Sequence, residues 1–107
     1  MNTMCNDNDG GSDDDNLPAD FLDHLRARLD RVFDHVQLDG EPHARAVVEE
    51  LRTLVTEAEA RGLRDMSETA RDALAEAWRW RRGDDPMDAR IRVARLARRL
   101  WLDTKPN

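Results

Sequence analysis

Few residues in this chain could perform catalysis, and none is placed beside a partner that would activate it. The candidate nucleophiles are one cysteine, Cys5, and two serines, Ser12 and Ser67. Cys5 lies in a polar N-terminal stretch, and a cysteine becomes reactive only in an environment that lowers its pKa. The numerous carboxylates are interleaved with arginines, which is typical of a solvated surface rather than a tuned acid/base pair. We therefore expect a protein that has no catalytic residues and is not an enzyme.

The histidine pattern does not indicate a metal site. Among the three histidines, His24 and His35 fall on one helical face, but they are eleven residues apart, which is about 16 Å at 1.5 Å per residue. His43 is the third, and neither an H-x-x-x-H nor an E-x-x-H pattern occurs. A glycine-rich phosphate loop is also missing from the sequence. We expect no metal and no cofactor.

Hydrophobic periodicity predicts four helices. The first begins near Pro18, ends at Asp39-Gly40, and carries apolar residues at alternating spacings of three and four: Leu22, Leu25, Leu29, Val32 and Val36. The second runs from Pro42 to a stop at Gly62, with Leu63 placed for the contact that often follows such a glycine. Asp65 and Glu68 resemble a capping box at the start of the third helix, which Gly83 ends.

The fourth helix has the widest apolar face. Asp85 is its predicted N-cap and Pro86 its first residue. Its apolar residues, from Met87 to Trp101, cover more than half the helix circumference, which indicates burial on two sides. Because three short connections join the four helices, we expect an all-α, antiparallel up-down-up-down four-helix bundle. A bundle of this size has a modest core, so the face of helix four or the seam of helix one could serve a homodimer.

Composition divides the chain into a tail and one domain. The sequence predicts a disordered acidic tail over 1–16, a helical bundle domain over 17–103 and a C-terminal tail over 104–107. The net charge of −6 disfavours general binding to nucleic acid or anionic membranes. A lone cysteine, no signal-peptide pattern and no apolar run of about 20 residues predict a cytoplasmic protein without a membrane partner.

Charge is unevenly distributed. Residues 1–23 contain seven acids and no base, whereas residues 79–107 contain four acids and nine bases. Tryptophan and arginine are enriched in binding hot spots. The predicted partner-binding residues are therefore Trp78, Arg79, Arg81, Arg82, Arg92, Arg95 and Arg99. The alternative is that Trp80 and Trp101 belong to the core and that the arginines pair with acids of helices one to three.

These features favour a non-enzymatic protein–protein interaction module: a small helical adaptor, regulator or inhibitor whose partner is another protein. The alternative is a nucleic-acid-associated protein that uses the arginine-rich C-terminal helix. A helix-turn-helix is disfavoured because Glu68 and Arg71 occupy positions that should be apolar and because Asp65 and Glu68 would face phosphates. A DNA-mimicking inhibitor is weakened because bases interrupt the acids of helices one to three.

Overall fold

Four α-helices make up most of residues 19–104, the part of the chain that the computed structural model describes. They are α1, Ala19–Val36; α2, Glu41–Ala60; α3, Arg64–Arg82; and α4, Pro86–Asp103. The predicted all-α fold is confirmed. The tail predicted over 1–16, the predicted helix start at Pro18 and residues 105–107 lie outside the described range.

Contacts between helices are those of antiparallel neighbours. His35 of α1 faces His43 at the start of α2, whereas Arg28 reaches Glu57 near the end of α2. Arg81 at the end of α3 meets Glu41 at the start of α2. Arg79 near the end of α3 meets Asp88 in the first turn of α4. Each helix contacts the next and α1 contacts α4, an arrangement consistent with an up-down-up-down bundle.

The core consists of one apolar stripe from each helix. In α1 the predicted Leu25, Leu29 and Val32 are fully buried and Val36 partly so, whereas Phe21 takes the place in the core that the series gave to Leu22. In α3 three alanines, Ala70, Ala73 and Ala77, are fully buried and leave no bulky side chain between that helix and its neighbours. Trp80 is 4% exposed and fills the end of the core, while Trp101 is only partly buried. The helical patterns therefore identify most of the core, and the largest departure is on α4.

The second and third helices end at the glycines that the sequence analysis identified as stops. After α2, Gly62 has φ +71°, and the Leu63 amide donates to the Ala58 carbonyl oxygen. After α3, Gly83 has φ +78°, and the Asp84 amide donates to the Arg79 carbonyl oxygen. Both bonds belong to the Schellman motif, in which a left-handed residue turns the chain out of the helix.

The predicted helix starts are less accurate. α3 begins at Arg64 after Leu63, and no side chain caps it, so the capping box predicted from Asp65 is wrong. Asp65 is already helical, and its carbonyl oxygen accepts a bond from the Thr69 hydroxyl. Asp85 does stand before α4, but in a left-handed conformation and without a side-chain capping bond.

Reciprocal arginine contacts join α1 to α4 at both ends. Arg90 of α4 donates from Nε and Nη2 to the carbonyl oxygen of Val36, at 3.1 and 2.8 Å. Arg26 of α1 donates to the hydroxyl and carbonyl oxygens of Thr104. These carbonyls belong to helix ends, where backbone acceptors lack partners within the helix. Thr104 is 1% exposed and therefore belongs to the bundle, not to the C-terminal tail in which the sequence prediction placed it.

Candidate functional site

The seven residues predicted as a binding site lie on two helices and do not form one surface. Trp78, Arg79, Arg81 and Arg82 belong to the last turns of α3, whereas Arg92, Arg95 and Arg99 belong to α4. Their surroundings separate them into arginines that are held by carboxylates and arginines that are not.

Arg79 and Arg92 converge on one carboxylate at the α3–α4 seam. Asp88 accepts a bond from Arg92 Nε at 2.8 Å, and its Oδ2 lies 3.5 Å from Arg79 Nη1. The hydrogen bond from Arg92 is the main reason that the pKa of Asp88 is lowered. Hydrogen bonds to Glu76 and Asp88 raise the pKa of Arg79 and Arg92 respectively. These two arginines are already neutralised within the bundle.

Arg81 and Trp78 form a second group on the flank of α3 that faces α2. The Arg81 guanidinium lies 5.2 Å from the centroid of the Trp78 ring, within the range of a cation–π contact. Arg81 Nε is also 3.3 Å from Glu41 of α2. Trp78 is partly buried against the core. Arg81 thus fits the alternative expectation, in which the arginines pair with acids of the preceding helices.

Arg82, Arg95 and Arg99 are exposed. Within residues 19–104, none of the three has a carboxylate oxygen within 4.0 Å, and the ion pairs of α4 arginines in that range involve Arg90 and Arg92. Arg99 borders a hollow beside the α2–α3 connection, whereas Arg95 faces the groove between α4 and α1. The predicted ridge of Arg92, Arg95 and Arg99 is therefore divided among three environments.

The outer side of α4 carries most of the exposed apolar surface in the described chain. Met87 is 70% exposed, Ile91 48% and Leu102 52%, and the only other large hydrophobic residue exposed within residues 19–104 is Leu38. The predicted burial of α4 on two sides is therefore wrong in part. The bundle covers Ala89, Val93, Ala97 and Leu100 and leaves the opposite side in solvent.

A groove of about 600 Å³ runs along this side between α4 and α1. Its apolar wall includes Phe33 of α1 and Trp101 of α4, whose rings meet edge to face with centroids 6.1 Å apart. Arg95 and Arg98 also line the groove, and within residues 19–104 neither has a carboxylate partner. We define the α4 surface as the exposed Ile91 together with the residues that line the groove: Asp30, Phe33, Ala94, Arg95, Arg98, Trp101 and Leu102.

Sequence reasoning found only Arg95 of this surface. The wide apolar face of α4 was the signal that could have located the surface. It could not show which part of that face the bundle leaves uncovered, because that depends on how α4 is rotated against α1 and α3.

The histidines pair differently from the pattern considered in the sequence. His35 Nδ1 lies 3.0 Å from His43 Nδ1, and the ring centroids are 5.3 Å apart. This contact is a hydrogen bond when one ring carries its proton on Nδ1 and the other ring accepts at Nδ1. Within residues 19–104, no three His, Cys, Asp or Glu residues cluster in a way that could hold a metal ion.

Comparison with known proteins found no matching family model, curated protein or solved structure. No helix among residues 19–104 is both long and apolar enough to cross a membrane.

Proposed function

We propose that this chain is a non-enzymatic protein–protein interaction module that binds another protein through the α4 surface. The observation that carries the proposal is the combination of exposed Ile91 and Leu102 with Arg95 and Arg98 on one side of one helix. Exposed apolar side chains beside a groove with an aromatic wall are typical of a binding surface. An adaptor, a regulator and an inhibitor would all use such a surface.

The chemistry of the surface selects an acidic amphipathic helix as the partner element. A groove between two antiparallel helices accepts a third helix, which contributes apolar anchors at spacings of three and four residues. Phe33, Trp101 and Leu102 offer apolar contact area to those anchors, and aromatic side chains contribute strongly to interface energy. Arg95 and Arg98 would pair with acidic residues beside the anchors, since a guanidinium binds a carboxylate in a bidentate manner.

Nucleic acid is the weaker candidate for the same surface. Arg79 and Arg92 are engaged by Asp88, so a phosphate would compete with a carboxylate that is already bound. The apolar wall of Phe33 and Trp101 offers nothing to a phosphate backbone, and the whole chain carries a net charge of −6.

Photo-crosslinking from single positions tests the proposal. A benzophenone amino acid replaces Leu102 on the α4 surface or, as the matched control, the exposed Thr56 on α2. We expect adducts to one acidic polypeptide from position 102 and none from position 56. Arg95→Glu together with Arg98→Glu should abolish the adducts. The double variant Arg45→Glu and Arg52→Glu makes the same charge change on exposed α2 arginines and should leave the adducts intact.

Three results would reject the proposal. Adducts of equal yield from positions 102 and 56 would mean that the α4 surface has no special role. Adducts that survive charge reversal at Arg95 and Arg98 would remove the basis for an acidic partner. Adducts that are destroyed by nuclease would favour nucleic acid, whose affinity should then fall steeply with salt.

The predicted homodimer also remains a proposal for the same surface. The seam of α1 is buried within the bundle, so α4 is the face left for a second copy. Sedimentation from micromolar to millimolar concentration should show a dimer that Leu102→Glu dissociates. A monomer over the whole range would exclude it.

A further inference from the structure

We propose that the acidic N-terminal segment, residues 1–18, occupies the α4 surface of its own chain and thereby competes with the partner. The inference concerns regulation of the surface described above, and it rests on the proposed function only for the identity of the competitor. The occupant is a segment of known sequence that precedes α1. Its charge and its reach both match the groove.

The charges of the segment and the groove are complementary. Residues 1–18 contain five aspartates and no lysine or arginine. Arg95 and Arg98 line the groove without a carboxylate partner among residues 19–104. Arginines already paired within the bundle, such as Arg79 and Arg90, would gain less from the same aspartates. The groove combines a net positive charge, from two arginines against Asp30, with an apolar wall, whereas the hollow that Arg99 borders also contains Asp65, Glu68 and Asp103.

The segment joins the bundle beside the end of α4, where Trp101 and Leu102 line the groove. Antiparallel packing places the start of α1 near the end of α4, as the contact of Arg26 with Thr104 requires. Asp30 and Phe33, which line the groove from α1, are eleven and fourteen residues from Ala19, or about 17 to 21 Å along the helix. Asp15 and Asp7 precede Ala19 by four and twelve residues, a reach of about 13 to 40 Å when extended. The distance from Ala19 to the groove residues of α1 therefore lies within the reach of the aspartates.

Attachment to the bundle makes a weak contact effective. Covalent attachment gives an effective concentration on the order of millimolar, so an exposed charge interaction can be substantially occupied within one chain. The same interaction is screened by salt because the arginines face solvent. An acidic partner helix with apolar anchors would displace the segment, which contributes aspartates but few large apolar side chains. The segment would raise the partner concentration that is needed to occupy the α4 surface, without blocking that surface permanently.

Cys5, the only cysteine of the chain, provides a native position for a nitroxide spin label. In the full chain at low salt, paramagnetic relaxation should broaden the amide signals of Asp30, Arg98 and Leu102 at least twofold more than those of Arg45 and Arg52 on α2. Replacing the five aspartates of residues 1–18 with asparagine should remove this difference, and so should Arg95→Glu with Arg98→Glu. The matched variant Arg45→Glu with Arg52→Glu should preserve it.

A mixed sample identifies the chain that supplies the segment. Isotope-labelled Cys5→Ser protein is combined with unlabelled, spin-labelled protein, so any broadening must come from another molecule. Broadening confined to the uniformly labelled chain supports the proposal. Equal broadening in the mixed sample overturns it in favour of exchange between copies, and no selective broadening in either sample overturns it altogether.

These readouts separate the inference from the proposed function. Crosslinks from position 102 without paramagnetic broadening would leave the partner interaction standing and reject the competing segment. Broadening without crosslinks would support the segment and reject the partner. If both hold, the five-asparagine variant should increase the crosslink yield severalfold at a limiting partner concentration.

Discussion

The side chains that stabilise the bundle most are those without contact with solvent. Leu29 of α1 and Leu51 of α2 are both fully buried, and each lies in the apolar stripe that its helix turns toward the others. Removing part of such a side chain loses its transfer free energy and leaves a cavity that the neighbours fill only partly.

Leu29→Ala or Leu51→Ala should therefore lower the free energy of unfolding by about 2–5 kcal/mol. Equilibrium urea denaturation measures the change. Glu49→Ala is the control, because Glu49 is exposed and its pair with Arg52 is of the surface kind that contributes little. A loss below about half a kcal/mol in both leucine variants would show that the stripes are not the core.

Asp88 should make the stability depend on pH. Its pKa is lowered in the folded protein, first by the hydrogen bond from Arg92, so its ionised form stabilises the fold. That contribution is fully present above the ordinary pKa of an aspartate, about 4, and is lost as the pH falls through the lower folded value.

Asp88→Asn should thus melt at a lower temperature than the wild type near neutral pH, and the difference should shrink as the pH falls well below 4. Thermal melts of both proteins across this range measure it. Asp72→Asn serves as the control, since Asp72 is exposed and no arginine pairs with it among residues 19–104. A melting difference that stays constant with pH would mean that the ion pairs of Asp88 do not contribute.

Among the helices, α1 and α4 are held together differently from the other neighbours. Their contact is the least extensive of the four, and at each end an arginine of one helix binds the last carbonyls of the other. Between these ends lies the groove that Phe33 and Trp101 line. The arginines therefore hold the two helices in place while the surface between them stays open.

Arg90→Met should cost about 1–2 kcal/mol of unfolding free energy, because it removes charge-assisted bonds to the Val36 carbonyl oxygen and leaves an acceptor at the end of α1 unpaired. Hydrogen exchange should accelerate in the last turn of α1, and urea denaturation gives the total cost. Arg45→Met, at an exposed position of α2, should change neither measurement appreciably. Equal effects of the two substitutions would show that the Arg90 contact is not structural.

For the molecule as a whole, stability comes from the core that the four helices share. One continuous core joins α1 to α4. Residues 1–16 contribute only Met1, Met4 and Cys5 as apolar side chains, too few to add to that core.

A chain that starts at Leu17 should keep its thermal midpoint within a few degrees of the full-length protein. Docking of the segment through exposed charges would add little stability, because such contacts contribute at most about 1 kcal/mol. Differential scanning calorimetry at low and high salt measures the midpoints. A drop of more than a few degrees at high salt would place part of the segment in the core.

The sequence alone determined the number of helices, their core stripes and the places where two of them end. Apolar residues that recur every three or four positions fit one face of a helix and do not fit a strand. Gly62 and Gly83 supply the left-handed backbone that a helix end of this kind requires. The start of α3 was predicted wrongly because an acidic residue is also favoured within the first turn by the helix dipole, and Asp65 lies there, after the start at Arg64.

Only the tertiary structure decided which of the C-terminal arginines have a carboxylate partner. Arg92, Arg95 and Arg99 look alike in sequence, yet Asp88 holds the first, the groove beside α1 includes the second, and a hollow beside the α2–α3 connection includes the third. Ion pairing depends on which helix lies alongside and how it is rotated, and hydrophobic periodicity leaves that rotation open on a face as wide as that of α4. Met87, Ile91 and Leu102 are the large apolar residues of that helix that packing leaves exposed.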